Sequence, residues 1–377
     1  AAAEAQGAFL HKTENGFVME NSLVCARING QGEVTSFRLK NENAGEGGLS
    51  REYAAGPMNR LRLFKDIPRK YDAWDIDSNY VCQEIQGAYD VELQPAEEGL
   101  EAVLKVTGKL SQSTYTQYIR LAADSRRLEF ETIVDWKELH RMLKTAFPVN
   151  VYAENGINEI QFGYLERPAH RSRPYDQERF EVCNHRYSAF CDGNSGAAVL
   201  NNCKYGISMN GNSLELTLLR ASASPEMCAD NKVHHFTYAF TAWEGSFMDS
   251  DVVRQGYELN VKPYVAAGSG QDFSLLSIDR GNIILDTMKP AEDGSGDIIL
   301  RLYESKKAAV TARIQFSPEL LGVGSTLNGG EDCASDCHVY ACDMLENVAE
   351  ELPVTDGALA LSFHPFEIKT IRISREK

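Results

Sequence analysis

Several things are scarce or missing in this 377-residue chain, and each absence removes a class of function. No apolar run approaches the roughly 18 residues that a helical membrane span requires. The first residues, AAAEAQGAFLHKTENG, have neither the basic start nor the apolar core of a signal peptide and read as the exposed end of a longer protein; with an odd, scattered set of cysteines, a cytoplasmic protein is expected. Basic side chains number 38 against 54 acidic ones, and a net charge of -16 argues against a nucleic-acid or anionic-membrane partner. No glycine-rich phosphate loop follows a strand pattern, which leaves nucleotide binding without support. No G-x-S-x-G elbow appears, and the eight histidines form neither H-x-D nor H-E-x-x-H. Helical periodicity is also rare. Only Asp249 to Leu259, with Val252, Val253, Tyr257 and Leu259 on one side and Asp249 or Ser250 as cap, reads as a helix.

Nine cysteines are present, an odd and scattered set that fits reduced thiols rather than a disulfide framework. Cys333, Cys337, His338 and Cys342 alone cluster, in what reads as a polar loop, and their spacing departs from common zinc patterns. They are read as a reduced loop, not a metal site.

What the chain does have is period-two alternation. Leu128, Phe130, Thr132 and Val134 alternate with Glu129, Glu131 and Ile133, the signature of a half-buried antiparallel strand. Similar segments are Leu23 to Ile28, Val34 to Leu39, Arg60 to Phe64, Glu101 to Thr107, Thr114 to Leu121, Thr145 to Tyr152, Glu159 to Tyr164, Gly196 to Leu200, Leu214 to Arg220 and Phe236 to Trp243. A Gly-rich stretch, residues 266 to 271, separates these from a second group between Asn282 and Ile373. The expected organisation is all-β. A tail or linker over 1–14 is followed by a large β domain over 15–265 and a small immunoglobulin-like β-sandwich over 272–377.

Two irregular stretches carry the polar chemistry. FGYLERPAHRSRPYDQERFE, residues 162 to 181, packs Glu166, Arg167, His170, Arg171, Tyr175 and Asp176 around Pro168 and Pro174. That proline spacing excludes a long helix and that charge density excludes a buried strand, so an ordered loop is predicted. IPRKYDAWDIDSNY, residues 67 to 80, interleaves Trp74 with Asp75 and Asp77. Rings stack on sugar faces and carboxylates accept from hydroxyls, so either loop suits ligand contact; a solvated loop knitted by its own ion pairs is the alternative. No carboxylate pair can be singled out for acid/base catalysis.

Across most of residues 15 to 375, in order, the chain resembles the C-terminal region of glycoside hydrolase family 38 α-mannosidases of the cytosolic and bacterial type. The stretches that carry the resemblance include ENSLVCARINGQGEVTSFRLK, RLRLFKDIPRKYDAWDID, KTAFPVNVYAENGINEIQFGYLERPAHRSRPYDQERFEV, LNNCKYGISMNGNSLELTLLRA and LSFHPFEIKTIRIS. The resemblance implies a mutarotase-like β-supersandwich followed by a small sandwich. It implies a parent enzyme that is a retaining, zinc-dependent exo-α-mannosidase acting on α-mannosides or oligosaccharides. The zinc ligands, nucleophile and acid/base of that enzyme match nothing here and are expected upstream of residue 1, so no catalytic or metal residue is carried over. Implied partners are the upstream catalytic domain and, since family members often form dimers or tetramers, a second copy of the chain. Trp74, Asp75, Asp77, Glu166, Arg167, His170, Arg171, Tyr175 and Asp176 are the residues expected near the barrel or the sugar. The family usually has Trp where Tyr175 stands. Alternatives are a freestanding carbohydrate-binding or structural β protein, and a mutarotase-like epimerase using His170 and Glu166.

Overall fold

The computed structural model describes residues 7–40, 48–270, 272–322 and 337–375. The chain divides into two compact units, one made of residues 1–159 and 165–262, the other of 160–164 and 263–377.

The first unit is built from a four-, a six- and a nine-stranded sheet among the described residues. At the heart of the nine-stranded sheet, Leu128–Asp135 pairs antiparallel with Ser113–Ala122 on one side and Val233–Glu244 on the other. Leu128, Phe130, Thr132 and Val134 are buried and Glu129, Glu131, Ile133 and Asp135 half exposed, in strict alternation, as the sequence pattern requires. Phe130, Phe147, Tyr238 and Phe240 form a continuous aromatic run, with Phe130 stacked on Tyr238 at 5.2 Å and Phe147 on Phe240 at 5.7 Å. The six-stranded sheet has Arg141–Pro148 between Ser213–Arg220 and Arg60–Lys65.

The second unit is a sandwich of a four- and a five-stranded sheet among the described residues. Leu300, Leu302, Ile371 and Ile373 of one sheet pack on Ile314, Phe316, Leu359 and Leu361 of the other.

The structure corrects several sequence-based expectations. Phe9–Thr13, assigned to the tail, is a strand paired with Gly16–Glu20. Only Leu10 in it is buried, so backbone pairing holds it and side-chain periodicity does not betray it. The strand predicted over Thr145 to Tyr152 is Arg141–Pro148, shifted because the strand carries a bulge at Leu143/Lys144 and ends at Pro148. Glu159 to Tyr164 is two strands, Asn155–Ile160 and Gly163–Pro168, separated by a turn in which Phe162 takes a φ of 58°. Charges in Gly163–Pro168 are tolerated because that strand lies at the edge of the nine-stranded sheet, where one face and one side stay solvated. The helix is Val252–Asn260, with Asp251 at the N-cap position but no side-chain capping bond; Ser246 and Asp249 instead form a capping box on a preceding 3₁₀ turn, Phe247–Asp249. Cys337–Cys342 is a strand rather than a loop, with Val339 in the second core, while Cys333 lies outside the described residues.

Candidate functional site

In the 67–80 stretch Tyr71 adopts a left-handed φ of 56°, and its carbonyl accepts from the amides of Trp74 and Asp75 at 2.7 and 2.8 Å. The turn so formed is clamped from below by Arg220, at the end of the strand Ser213–Arg220. Its guanidinium pairs with the buried Asp66 at 2.6 Å and donates to the backbone carbonyls of Asp75 at 2.6 Å, Asp72 at 3.3 Å and Ala73 at 3.4 Å. One planar fork thus fixes three successive parts of the turn, which a lysine could not do.

Asp72 secures the other flank. Its carboxylate accepts from the amides of Ala223 and Ser224 at 2.7 and 3.0 Å and contacts His140 Nε2 at 3.1 Å. Burial alone would raise the Asp72 carboxyl, but these donors outweigh it and hold the group below the usual carboxylate range. Trp74 stands 74% exposed on this pinned turn, its ring 6.4 Å from that of Tyr71, itself 66% exposed. A large ring held out into solvent by a well-anchored backbone is a contact surface rather than core. Asp75 and Asp77 serve the turn itself: Asp75 accepts from the amide of Ile76, and Asp77 from the amide of Arg69.

The 162–181 stretch is not uniformly loop. After the edge strand Gly163–Pro168, Pro174 starts a single helical turn, Pro174–Gln177, where its missing N–H costs nothing. Asp176 is buried and takes both arms of the Arg173 guanidinium at 2.8 and 3.0 Å, together with the Arg173 amide. The Arg173 contact holds the Asp176 carboxyl below its ordinary range, which makes it a poor proton donor near neutral pH. His170 lies beside Ser172 Oγ at 2.8 Å and 3.9 Å from Asp176. Arg173 and Arg179 both lie over the half-exposed Tyr175 ring, at 4.6 and 5.6 Å from its centroid. Arg167 turns to Asn158 Oδ1 and the Cys183 carbonyl. Glu166 is exposed and Arg171 half-buried.

The two stretches meet at their ends, Tyr80 and Glu181, over a lysine that the sequence reading passed over. Tyr80 donates to Glu181 Oε1 at 2.6 Å, and its ring packs on Phe64 at 5.2 Å and Phe180 at 6.3 Å. Beneath them lies Lys144, with a fully buried side chain. Its ammonium pairs with Glu181 and donates to Tyr80 Oη and Ser208 Oγ, each at 3.2 Å. Three donors find three acceptors, while Thr217 Oγ1 donates to the second Glu181 oxygen at 3.2 Å. Burial, with the neighbouring Glu181 carboxylate, pushes the Tyr80 phenol well above its ordinary value, so it stays protonated as a donor. The signal was a lysine inside the apolar run MLKTAFP; its partner is 37 residues away and has no local mark.

These arrangements can position, stack and hydrogen-bond. Among the described residues no three His, Cys, Asp or Glu side chains converge to hold a metal ion. Nor does any described helix have the length and apolarity to cross a membrane.

Residues 19–227 match the model for "Glycosyl hydrolases family 38 C-terminal domain", and residues 282–371 that for "Glycosyl hydrolases family 38 C-terminal beta sandwich domain". The chain is 31% identical over 373 residues to Alpha-mannosidase 2C1 of Homo sapiens, covering 96% of this chain and 34% of that protein. Against Alpha-mannosidase G of Dictyostelium discoideum it is 30% identical, covering 94% and 32%. It therefore spans about a third of the length of the curated relatives it matches. A solved α-mannosidase from Enterococcus faecalis superposes with a TM-score of 0.71 at 16% identity, over 94% of this chain and 42% of that one, a likeness of fold.

Proposed function

Because this chain belongs to glycosyl hydrolase family 38, as its C-terminal β region, we propose that it is the non-catalytic part of a longer retaining, zinc-dependent exo-α-mannosidase of the cytosol. The observation that carries this reading is the pair of family matches, one on each side of residue 263, in family order. In it the chain supplies β-domain packing and part of the wall of the substrate site. The pinned Trp74 and Tyr71 rings and the Arg173/Tyr175/Arg179 stack face either the catalytic domain or the mannoside. Both partners present flat apolar or hydroxylated surfaces that rings and guanidinium groups recognise. Zinc and nucleophile belong to the catalytic domain, and this chain's residues position rather than transfer protons. A second copy of the chain is a further candidate partner.

The test is hydrolysis of an aryl α-mannoside by the 377-residue chain, with zinc added and with zinc chelated. The expected result is no turnover in either condition, alongside zinc-dependent turnover by the longer enzyme. Zinc-dependent turnover by this chain alone would overturn the proposal and direct attention to the cluster of Cys333, Cys337 and Cys342.

A further inference from the structure

A cleft of about 650 Å³ opens in the first unit, among residues that belong to neither stretch described above. Its walls come from the turn at Gln31–Glu33, the segment Glu84–Ala88, and the strands bearing Arg60, Val106 and Tyr115. That volume lies within the range of small-molecule sites.

Two polar systems lie at the cleft. Asn59, Gln117 and Tyr238 form a closed buried ring. Asn59 donates to Gln117 Oε1 at 2.8 Å, Gln117 to Tyr238 Oη at 2.8 Å, and Tyr238 back to Asn59 Oδ1 at 2.6 Å. Tyr115, 4% exposed as a residue, stands beside this ring on the wall of the cleft. Burial and the nearby Glu33 push this phenol up to about 12, so it keeps its proton and remains a donor. A phenol on the wall of a polar cleft can donate to whatever occupies it.

The backbone around it is shaped to keep the space. Tyr115 lies across Gly108 of the adjacent strand, where an added Cβ would sit 2.7 Å from the ring and 2.9 Å from the hydroxyl. Gly87 brings its wall so close to the Leu61 carbonyl that a Cβ would fall 2.4 Å from it. The rim mixes acceptors and donors: Glu33, Glu84, Gln31, Gln86 and Arg60. Arg62 takes both oxygens of the Glu84 carboxylate and holds the group below its ordinary range, so it stays ionised on the rim. The two carboxylates are matched by two arginines, Arg60 at 3.9 Å from Glu33 and Arg62 on Glu84, so the rim is close to charge-balanced and its amides suit a neutral, hydroxyl-bearing ligand.

We propose that this cleft is a binding site for a neutral saccharide ring, with the Tyr115 hydroxyl donating to it and Gln86, Glu84 and Glu33 engaging its hydroxyls. The site is distinct from the exposed Trp74 and Tyr175 loops and does not rest on the mannosidase reading: binding and hydrolysis are separate measurements, and either can fail alone.

The experiment is saturation-transfer NMR and calorimetric titration of the 377-residue chain with methyl α-mannoside, methyl α-glucoside and methyl α-galactoside. At least one should bind saturably. Tyr115→Phe should weaken binding roughly three- to tenfold, the worth of one hydrogen bond, while leaving thermal stability unchanged. Gln86→Ala, an exposed position, should weaken it with no effect on folding. The assignment is overturned by no saturable binding of any of the three up to tens of millimolar, or by equal affinity of wild type and Tyr115→Phe. It is also overturned by a lower Tm in Tyr115→Phe, which would make the hydroxyl structural, or by a response that follows Trp74→Ala instead.

Discussion

Replacing Lys144 by methionine removes the buried ammonium that ties the ends of both stretches together, at nearly constant side-chain volume. Lys144 is 0% exposed and Glu181 12% exposed at the side chain, so the variant leaves a mostly desolvated carboxylate without its cation. Breaking a buried pair in this way costs about 3–5 kcal/mol. Glu181 still keeps the Tyr80 and Thr217 hydroxyls as donors, which places the expected loss near the lower end, about 3 kcal/mol. For a unit of this size that corresponds to a fall in Tm of roughly 6–12 °C. Urea unfolding, followed by tryptophan fluorescence, reads the first unit directly, because Trp74, Trp136 and Trp243 all lie within it. The double variant Lys144→Met/Glu181→Gln should recover at least half of the loss, since no isolated charge is then buried. Limited proteolysis between residues 67 and 80 should accelerate in the single variant because Tyr80 loses an anchor. A loss below about 1 kcal/mol, or a double variant no more stable than the single, would refute the reasoning.

Two further perturbations probe the pinned turn. Arg220→Ala should cost about 2–3 kcal/mol by orphaning Asp66, and Arg220→Lys should restore the charge without restoring protection of residues 69–77 from protease, since the fork to three carbonyls is lost. Full rescue by lysine would contradict the fork's role. Asp72 has a folded-state value below its ordinary 3.8, so its contribution to stability is fully present above that value and is lost as pH falls through the lower folded value. The Trp74 emission signal should therefore stay constant down to about pH 4 and change only below it, and Asp72→Asn should shift the acid limb; a change already complete at about pH 5 would count against the assignment.

The ordered family stretches, the all-β class, and the individual strands were legible in the sequence. Leu128–Asp135 stands where alternation places it, because a half-buried strand writes its own period into the chain. The 67–80 stretch was also legible as irregular from its rings and charges, whereas 162–181, predicted as loop, holds an edge strand and a helical turn, with Asp176 buried. The helix start was misread by a few residues because Asp249 and Ser250 look like caps, and Asp249 does cap, though it caps the preceding turn.

What the sequence by itself determined is which residues face inward and that the 67–80 stretch stays irregular, since both follow from local periodicity and residue chemistry. Tertiary structure alone decided the partners. Lys144 finds Glu181 across 37 residues, Arg220 finds Asp66 across 154, and Gly163–Pro168 accepts its charges only because it falls at a sheet edge. Tyr115 and Tyr238 both sit at inward strand positions, yet one closes a buried ring while the other opens into a cleft. Strand order and register set those distances, and they are fixed by the packing of segments far apart in the chain, which no local pattern encodes.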